Sequence, residues 1–371
     1  MSLDSDQKIT ISSGEMNFTD DYDNYTYDDD GCCGGLVCDQ KYSMHFDSIF
    51  IPVLYSLALI VGLVGNGLVL VVLWKKRRSL NVTDIFILHL GLSDTLLLLT
   101  MPFWAIEAVK GWLFGTALCK LTGALFKINF YCGIFMLSCI SLDRYLSIVH
   151  AVQMYSRKKP MVTHCCCLMV WLFCLLLSIP DWIFLVAFKD SRRHDKIECV
   201  SFYPNSSRES WHLGTRVLYH ILGFTLPAIM MLFCYSCILL RLRRGSQGMQ
   251  KKRAIHVIVA LVLAFFITWT PYNITLMVDT IQNKAHKLDN QTSCDSTTAV
   301  DVALTATTTL SYLHCCINPV LYAFVGVKFR QHLLDMLRPL GFTLRKVPAG
   351  LVSRKSSIWS DSVDTSYTSA F

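Results

Sequence analysis

Apolar positions along the 371-residue chain fall into long runs parted by short polar stretches. They do not follow the period-2 or period-3.6 patterns of half-buried soluble elements. Crossing a bilayer takes a helix of about 20 apolar residues. Seven runs reach that length: Ile49–Trp74, Ile85–Ile106, Leu118–Ile148, Val162–Phe188, Val217–Leu242, Ala254–Ile281 and Val300–Val327. Transmembrane β-strands would instead alternate over about ten residues. The pattern therefore predicts an all-α integral membrane protein, with a seven-transmembrane helix bundle over residues 48–327. Composition agrees: 53% of residues are hydrophobic and only 16% charged, against about 25% charged in soluble domains. A soluble enzyme on a single anchor is excluded.

Charge sets the orientation. Lys75, Lys76, Arg77 and Arg78 follow the first run, Arg157–Lys159 the third, and Arg241, Arg243, Arg244 and Lys251–Arg253 the fifth. The tail adds Lys328, Arg330, Arg338, Arg345, Lys346, Arg354 and Lys355. Short Lys/Arg-rich loops stay in the cytoplasm, so the N-terminus is expected outside and the C-terminus inside. Residues 1–15 lack the apolar stretch of a signal peptide, so the first helix is expected to act as its own insertion signal. The net charge of +7 thus reflects a dipolar layout and gives no hint of nucleic-acid binding.

Residues 1–47 hold eleven acidic side chains against Lys8 and Lys41, with too little apolar content to fold alone. This is read as a disordered acidic extracellular arm. Tyr22, Tyr25 and Tyr27 sit among its aspartates and are candidates for sulfation. Such an arm suits capture of a basic partner by electrostatic steering; a merely solvated tail is the plainer alternative. Acceptor triplets for N-glycosylation start at Asn17, Asn24, Asn205 and Asn290 on predicted outer segments. Two further triplets, at Asn81 (inside) and Asn273 (within a helix), are expected to stay unmodified.

Of sixteen cysteines, ten fall in predicted helices, where small polarizable packing suffices. Cys119 heads the third helix and Cys199 lies in the long loop after the fourth, so the two are placed to bridge. Cys38 and Cys294 are placed to join the arm to the last outer loop. Cys32 and Cys33 are adjacent, and spacing alone does not settle connectivity. No His/Cys spacing suggests a metal, no cofactor motif appears, and no nucleophile–base pair or phosphate loop supports an enzyme.

Polar groups at membrane depth are functional candidates by default. Asn66, Asp94, Asn129, His314 and Asn318 fall near mid-depth. Glu107, Lys127, Asp181, Asp279 and Asp301 lie nearer the outer ends, where the carboxylates would line an acidic vestibule with Lys127 as an internal ion-pair partner. Rim side chains reaching into water are the alternative, most of all for Asp279 and Asp301. Asp143-Arg144-Tyr145 stands 25 positions after Cys119, about 37 Å of helix, which puts it one membrane thickness away at the inner end.

Taken together, these motifs resemble a rhodopsin-type (class A) G-protein-coupled receptor. They are Gly65-Asn66, Leu92-Ser93-Asp94, Asp143-Arg144-Tyr145, Trp171, Pro227, Trp269-Thr270-Pro271 and Asn318-Pro319-Val320-Leu321-Tyr322. Thr100-Met101-Pro102-Phe103-Trp104, Leu146–Ala151, His314–Pro319 and the acidic tyrosine-bearing arm with Cys38 and Cys294 resemble chemokine receptors. Cys32-Cys33, Ile179-Pro180-Asp181 and Phe324–Arg330 are most like the CXC branch that takes interferon-inducible chemokines.

The resemblance implies that a CXC chemokine docks on the arm and sends its N-terminus into the vestibule, against Asp47, Trp104, Phe126, Asp181, Tyr272, Asp279, Asp301 and Tyr312. It implies a relay through Ile134, Pro227, Phe265 and Trp269, with helix six hinged at Pro271. Arg144 would then be freed, Tyr235 and Tyr322 closing behind it while Asn318 and Pro319 adjust. An inhibitory heterotrimeric G protein would enter the inner cavity; receptor kinases and arrestin would follow on the Ser/Thr-rich tail, residues 339–371. Residues 328–338, with apolar side chains at helical spacing, would form a short amphipathic helix on the inner leaflet of the lipid bilayer.

Departures from the class pattern carry their own expectations. Lys251 stands where an acidic partner of Arg144 is common, so Asp143 would be its main restraint and basal activity would be appreciable. Gly133, His314 and Cys315 replace polar neighbours of Asp94, which puts sodium binding there in doubt, with Asn129 as a substitute oxygen. A non-signalling scavenger would be expected to have lost Asp143–Val149. A transporter would show internal repeats and paired broken helices, and neither is present.

Overall fold

The computed structural model describes residues 41–150, 159–190, 196–204, 206–244, 249–288 and 294–325. Helix α1 spans Lys41–Lys75, α2 Val82–Leu98, α3 Met101–Lys110, α4 Gly115–Ile148, α5 Lys159–Leu177 and α6 Ile179–Phe184. Strands β1 (Leu185–Asp190) and β2 (Lys196–Ser201) follow, then α7 (Arg208–His220), α8 (Leu226–Arg244), α9 (Met249–Leu288) and α10 (Cys294–Val325). Helices α2 and α3 together make the second span, α5 with α6 the fourth, and α7 with α8 the fifth.

Among the described residues, six spans are long and apolar enough to cross a membrane. Their outward faces keep large apolar side chains exposed, among them Ile60, Leu232 and Ile267, each more than 60% exposed. In water such a surface would aggregate; against lipid it is the stable arrangement. The seventh, α10, is as long at 32 residues but less apolar. Its hydroxyls bond back to its own carbonyls, Thr307 to Ala303, Thr309 to Thr305 and Ser311 to Thr307, so a threonine-rich helix leaves few groups unsatisfied at membrane depth.

The breaks within spans have local causes. Pro102 and Pro180 each lack the amide hydrogen needed to continue the preceding helix. The hydroxyls of Thr100 and Ser178 instead donate to Leu97 O (2.7 Å) and Leu175 O (2.9 Å) at those bends. In the fifth span the turns widen to a π-helix over Ile221–Thr225, just before Pro227. Of those six spans α4 is the most enclosed, and it packs against α2, α5, α6, α8 and α9.

Two expectations are corrected here. The first helix begins at Lys41, so residues 41–47, including Asp47, belong to it and not to the arm. The fourth run does not stay helical to Phe188: Leu185–Phe188 form β1, and an antiparallel hairpin pairs Ala187 with Cys199. The hairpin adds a small β element to a helical bundle. It lies where the backbone leaves the bundle end and must satisfy its own hydrogen bonds.

Candidate functional site

The hairpin is fastened to the bundle at several points. Cys199 is disulfide-bonded to Cys119 near the start of α4, with Cα atoms 5.5 Å apart. The Cys199 amide donates to Glu107 Oε1 of α3 at 2.7 Å. The Trp112 amide donates to Ile197 O at 2.6 Å. Gly111 makes that approach possible: its φ is +81° and a Cβ would lie 2.9 Å from Ile197 O. Trp112 is buried with Cys119 and Leu185, and its indole donates to Gly115 O at 2.8 Å. Trp112 carries one signal in the sequence, a tryptophan held between Gly111 and Gly115 in a short interhelical link, and its role emerges only from the contacts.

Beneath the hairpin lies a cavity of about 1200 Å³. Asp47, Trp104, Phe126, Asp181, Tyr272, Asp279, Asp301 and Tyr312 all line it, so the structure brings together every expected cavity residue that it describes. Tyr22, Tyr25 and Tyr27 lie outside the described residues, as do Asn17, Asn24, Asn205, Asn290 and Cys38, and nothing is described of the Cys294 side chain. Among the described residues, seven carboxylates line the cavity against four Lys or Arg side chains. Asp279 pairs with Arg216 of α7 at 3.1 Å. Lys127 forms no ion pair among the described residues, contrary to expectation; its ammonium lies over the Tyr219 ring, 4.1 Å from the centroid.

Below the cavity the aromatic rings are continuous. Phe126 stacks on Tyr312 at 5.0 Å and meets Trp269 at 5.6 Å. Phe130 lies 4.7 Å from Trp269, and Phe265 lies 5.9 Å from it. Phe130 was missing from the expected relay, although it is one helical turn from Phe126 on the same face. Gly133 leaves room for Phe265, whose Cε2 would sit 2.9 Å from an added Cβ. A serine there would not fit this packing.

Deeper still, Asp94 takes amide hydrogens from Asn129 (3.0 Å) and Asn318 (2.8 Å). Asn129 also donates to Ser93 Oγ at 3.2 Å, and Asn66 donates to Cys315 O at 2.9 Å. Asn129 therefore presents nitrogen to Asp94, not the substitute oxygen expected of it. Pro319 follows Asn318 inside α10. The Tyr322 hydroxyl is buried without a hydrogen-bond partner among the described residues.

At the opposite end from the disulfide, Arg144 pairs with Asp143 at 3.5 Å and also donates to Thr83 Oγ1 on α2. The second restraint was not foreseen. Thr83 belongs to the Asn81-Val82-Thr83 triplet, whose residues here have structural work: Asn81 caps α2 by accepting from the Asp84 amide at 2.9 Å, and Asp84 accepts from Lys76 at 2.6 Å. Tyr145 meets His150 at 2.9 Å, and Tyr235 accepts from Ser141 Oγ at 2.9 Å.

A bundle of membrane helices with a lined cavity at one end and an Asp-Arg-Tyr restraint at the other has the layout of a transmembrane receptor. The sequence profile of the seven-transmembrane receptors of the rhodopsin family matches residues 65–322. The chain is 44% identical to human C-X-C chemokine receptor type 3 over 95% of its own length and 94% of the relative's. It is 41% identical to rabbit (Oryctolagus cuniculus) C-X-C chemokine receptor type 1 over 78% of its length and 80% of that protein's. With human C-X-C chemokine receptor type 5 it shares 38% over 80% of its length and 79% of that protein's. The chain belongs to the rhodopsin family of seven-transmembrane receptors, and within it to the chemokine receptors. It is a multi-pass plasma-membrane protein and not an enzyme.

Proposed function

We propose that this receptor binds CXC chemokines at the disulfide end and passes the signal to an inhibitory heterotrimeric G protein, then to receptor kinases and arrestin, in leukocyte chemotaxis. The observation that carries the reading is that eight residues from separate stretches of the chain converge on one acidic, aromatic-floored cavity. The chemokine's basic body docks on the arm, where sulfated Tyr22, Tyr25 and Tyr27 deepen the charge, and its N-terminal segment enters the cavity. Rim carboxylates supply steering and orientation; Trp104, Phe126, Tyr272 and Tyr312 supply buried contact.

Pressure on Phe126 and Tyr272 is felt by Trp269, which both rings touch. Pro271 has no amide hydrogen to give the preceding turn, so α9 bends there. A ligand that contacts the open arrangement better shifts the population toward it. Opening at the inner end separates Arg144 from Thr83 and Asp143 and uncovers a surface for the G protein beside residues 241–253. The glycosylated, disulfide-tied exterior, the 328–338 helix and the phosphorylated 339–371 tail complete the reading.

The test is full-length expression in cells challenged with a chemokine panel while cyclic AMP and arrestin recruitment are recorded. A CXC chemokine should lower cyclic AMP, and Arg144→Ala should abolish that response with ligand binding retained. Undiminished signalling by Arg144→Ala would refute the coupling assignment, and arrestin recruitment with no G-protein response in the parent would favour a scavenger.

A further inference from the structure

Three rings from three helices surround the Lys127 ammonium: Tyr219 of α7 at 4.1 Å, Phe126 of α4 at 5.6 Å and Tyr272 of α9 at 5.8 Å. The rings also meet edge-on, Phe126 with Tyr272 at 5.8 Å and Tyr219 with Tyr272 at 6.1 Å. All three are buried, while Lys127 is half-buried. No ion pair or hydrogen bond holds this ammonium among the described residues; the Asp181 carboxylate of α6 acts on it only through longer-range attraction. One turn earlier on α7, Arg216 pairs with Asp279 at 3.1 Å. Asp47, Glu107 and Asp301 line the same cavity from α1, α3 and α10. The cavity therefore combines a carboxylate-rich lining with an aromatic cage already occupied by a cation of the chain itself.

We propose that Lys127 is a tethered occupant of this cage that sets ligand specificity: it bars cationic groups from the cavity floor, so that the ligand group reaching the floor is uncharged or acidic, while basic groups stop at the carboxylates. The proposal rests on the receptor reading for the identity of the natural ligand, but the cage chemistry stands apart from it. A ring-lined pocket in an acidic cavity is a trap for small organic cations, since each ring face attracts positive charge within about 6 Å. A side chain anchored beside the pocket competes at a local concentration on the order of millimolar, and its charge repels a second cation. Specificity here comes from an element that rejects the wrong ligand.

The test uses full-length protein in lipid nanodiscs, with phenethylammonium and 3-phenylpropionate as probes and saturation-transfer NMR and thermal melting as readouts. Native protein should bind the carboxylate probe better than the ammonium probe. Lys127→Met should invert that order and bind the ammonium about tenfold tighter than native protein does. Lys127→Gln should follow Lys127→Met, Lys127→Arg should behave as native, and adding Tyr219→Ala to Lys127→Met should remove the gain. Equal ammonium binding by native protein and both neutral variants, or a gain that survives loss of Tyr219, would overturn the proposal. A chemokine panel on the same preparations separates the two ideas: native protein that binds no chemokine defeats the receptor reading, while the probe results still decide the cage.

Discussion

Asp94 and Asp279 are both carboxylates on membrane-spanning helices, and the bundle treats them in opposite ways. Asp94 is 2% exposed and is held by amides from two other helices, Asn129 of α4 and Asn318 of α10. Asp279 keeps 18% of its side chain exposed, opens into the cavity and pairs with Arg216. A buried polar group is costly unless its partners are in place, so the Asp94 cluster fixes how α2, α4 and α10 meet. A partly exposed pair that opens into the cavity adds less to stability than a buried, fully bonded cluster and is within reach of a ligand. Depth separates the groups that set the bundle's arrangement from those that meet what enters it.

The largest effect on this contrast should come from the disulfide. Cys199→Ser frees the hairpin that roofs the cavity and should cost about 3 kcal/mol, read as a lowered melting temperature of solubilised protein and lost chemokine binding, with the Asp94 cluster left intact. Next comes Asp94→Ala, which strands two buried amides and should cost about 2 kcal/mol. Its melting temperature should fall and its agonist response should change far more than its chemokine affinity. Smaller again, Thr83→Val removes the second restraint on Arg144; about 1 kcal/mol is at stake, and agonist-free nucleotide exchange should rise about fivefold. Smallest in stability is Asp279→Asn, below about 1 kcal/mol by melting. It should instead slow chemokine association and flatten its dependence on salt.

Much of this was legible in the chain. Seven apolar runs are long-range composition, and membrane thickness converts them directly into helices. Asp94, Asn129 and Asn318 stand out because polar residues are rare in such runs. What escaped depends on contacts between distant segments. Thr83 reads as part of a glycosylation triplet until α4 brings Arg144 against it. Lys127 reads as an ion-pair partner, because nothing in its neighbourhood along the chain says that Tyr219 and Tyr272 will arrive from two other helices. The hairpin's first strand hides at the end of the fourth apolar run, since β-branched and aromatic residues suit a short strand as well as a helix end. Lys251, where an acidic partner of Arg144 was missed, suggested a single restraint; a hydroxyl on α2 supplies another.

The receptor reading stands or falls on whether the cavity holds the chemokine. Binding of a basic CXC chemokine should be followed on cells expressing native protein and the Asp181→Asn/Asp301→Asn double variant, at matched surface levels and two ionic strengths. The account predicts that native association slows as salt rises and that the double variant binds at least about tenfold more weakly. Equal affinity with the same salt dependence in both proteins would contradict it.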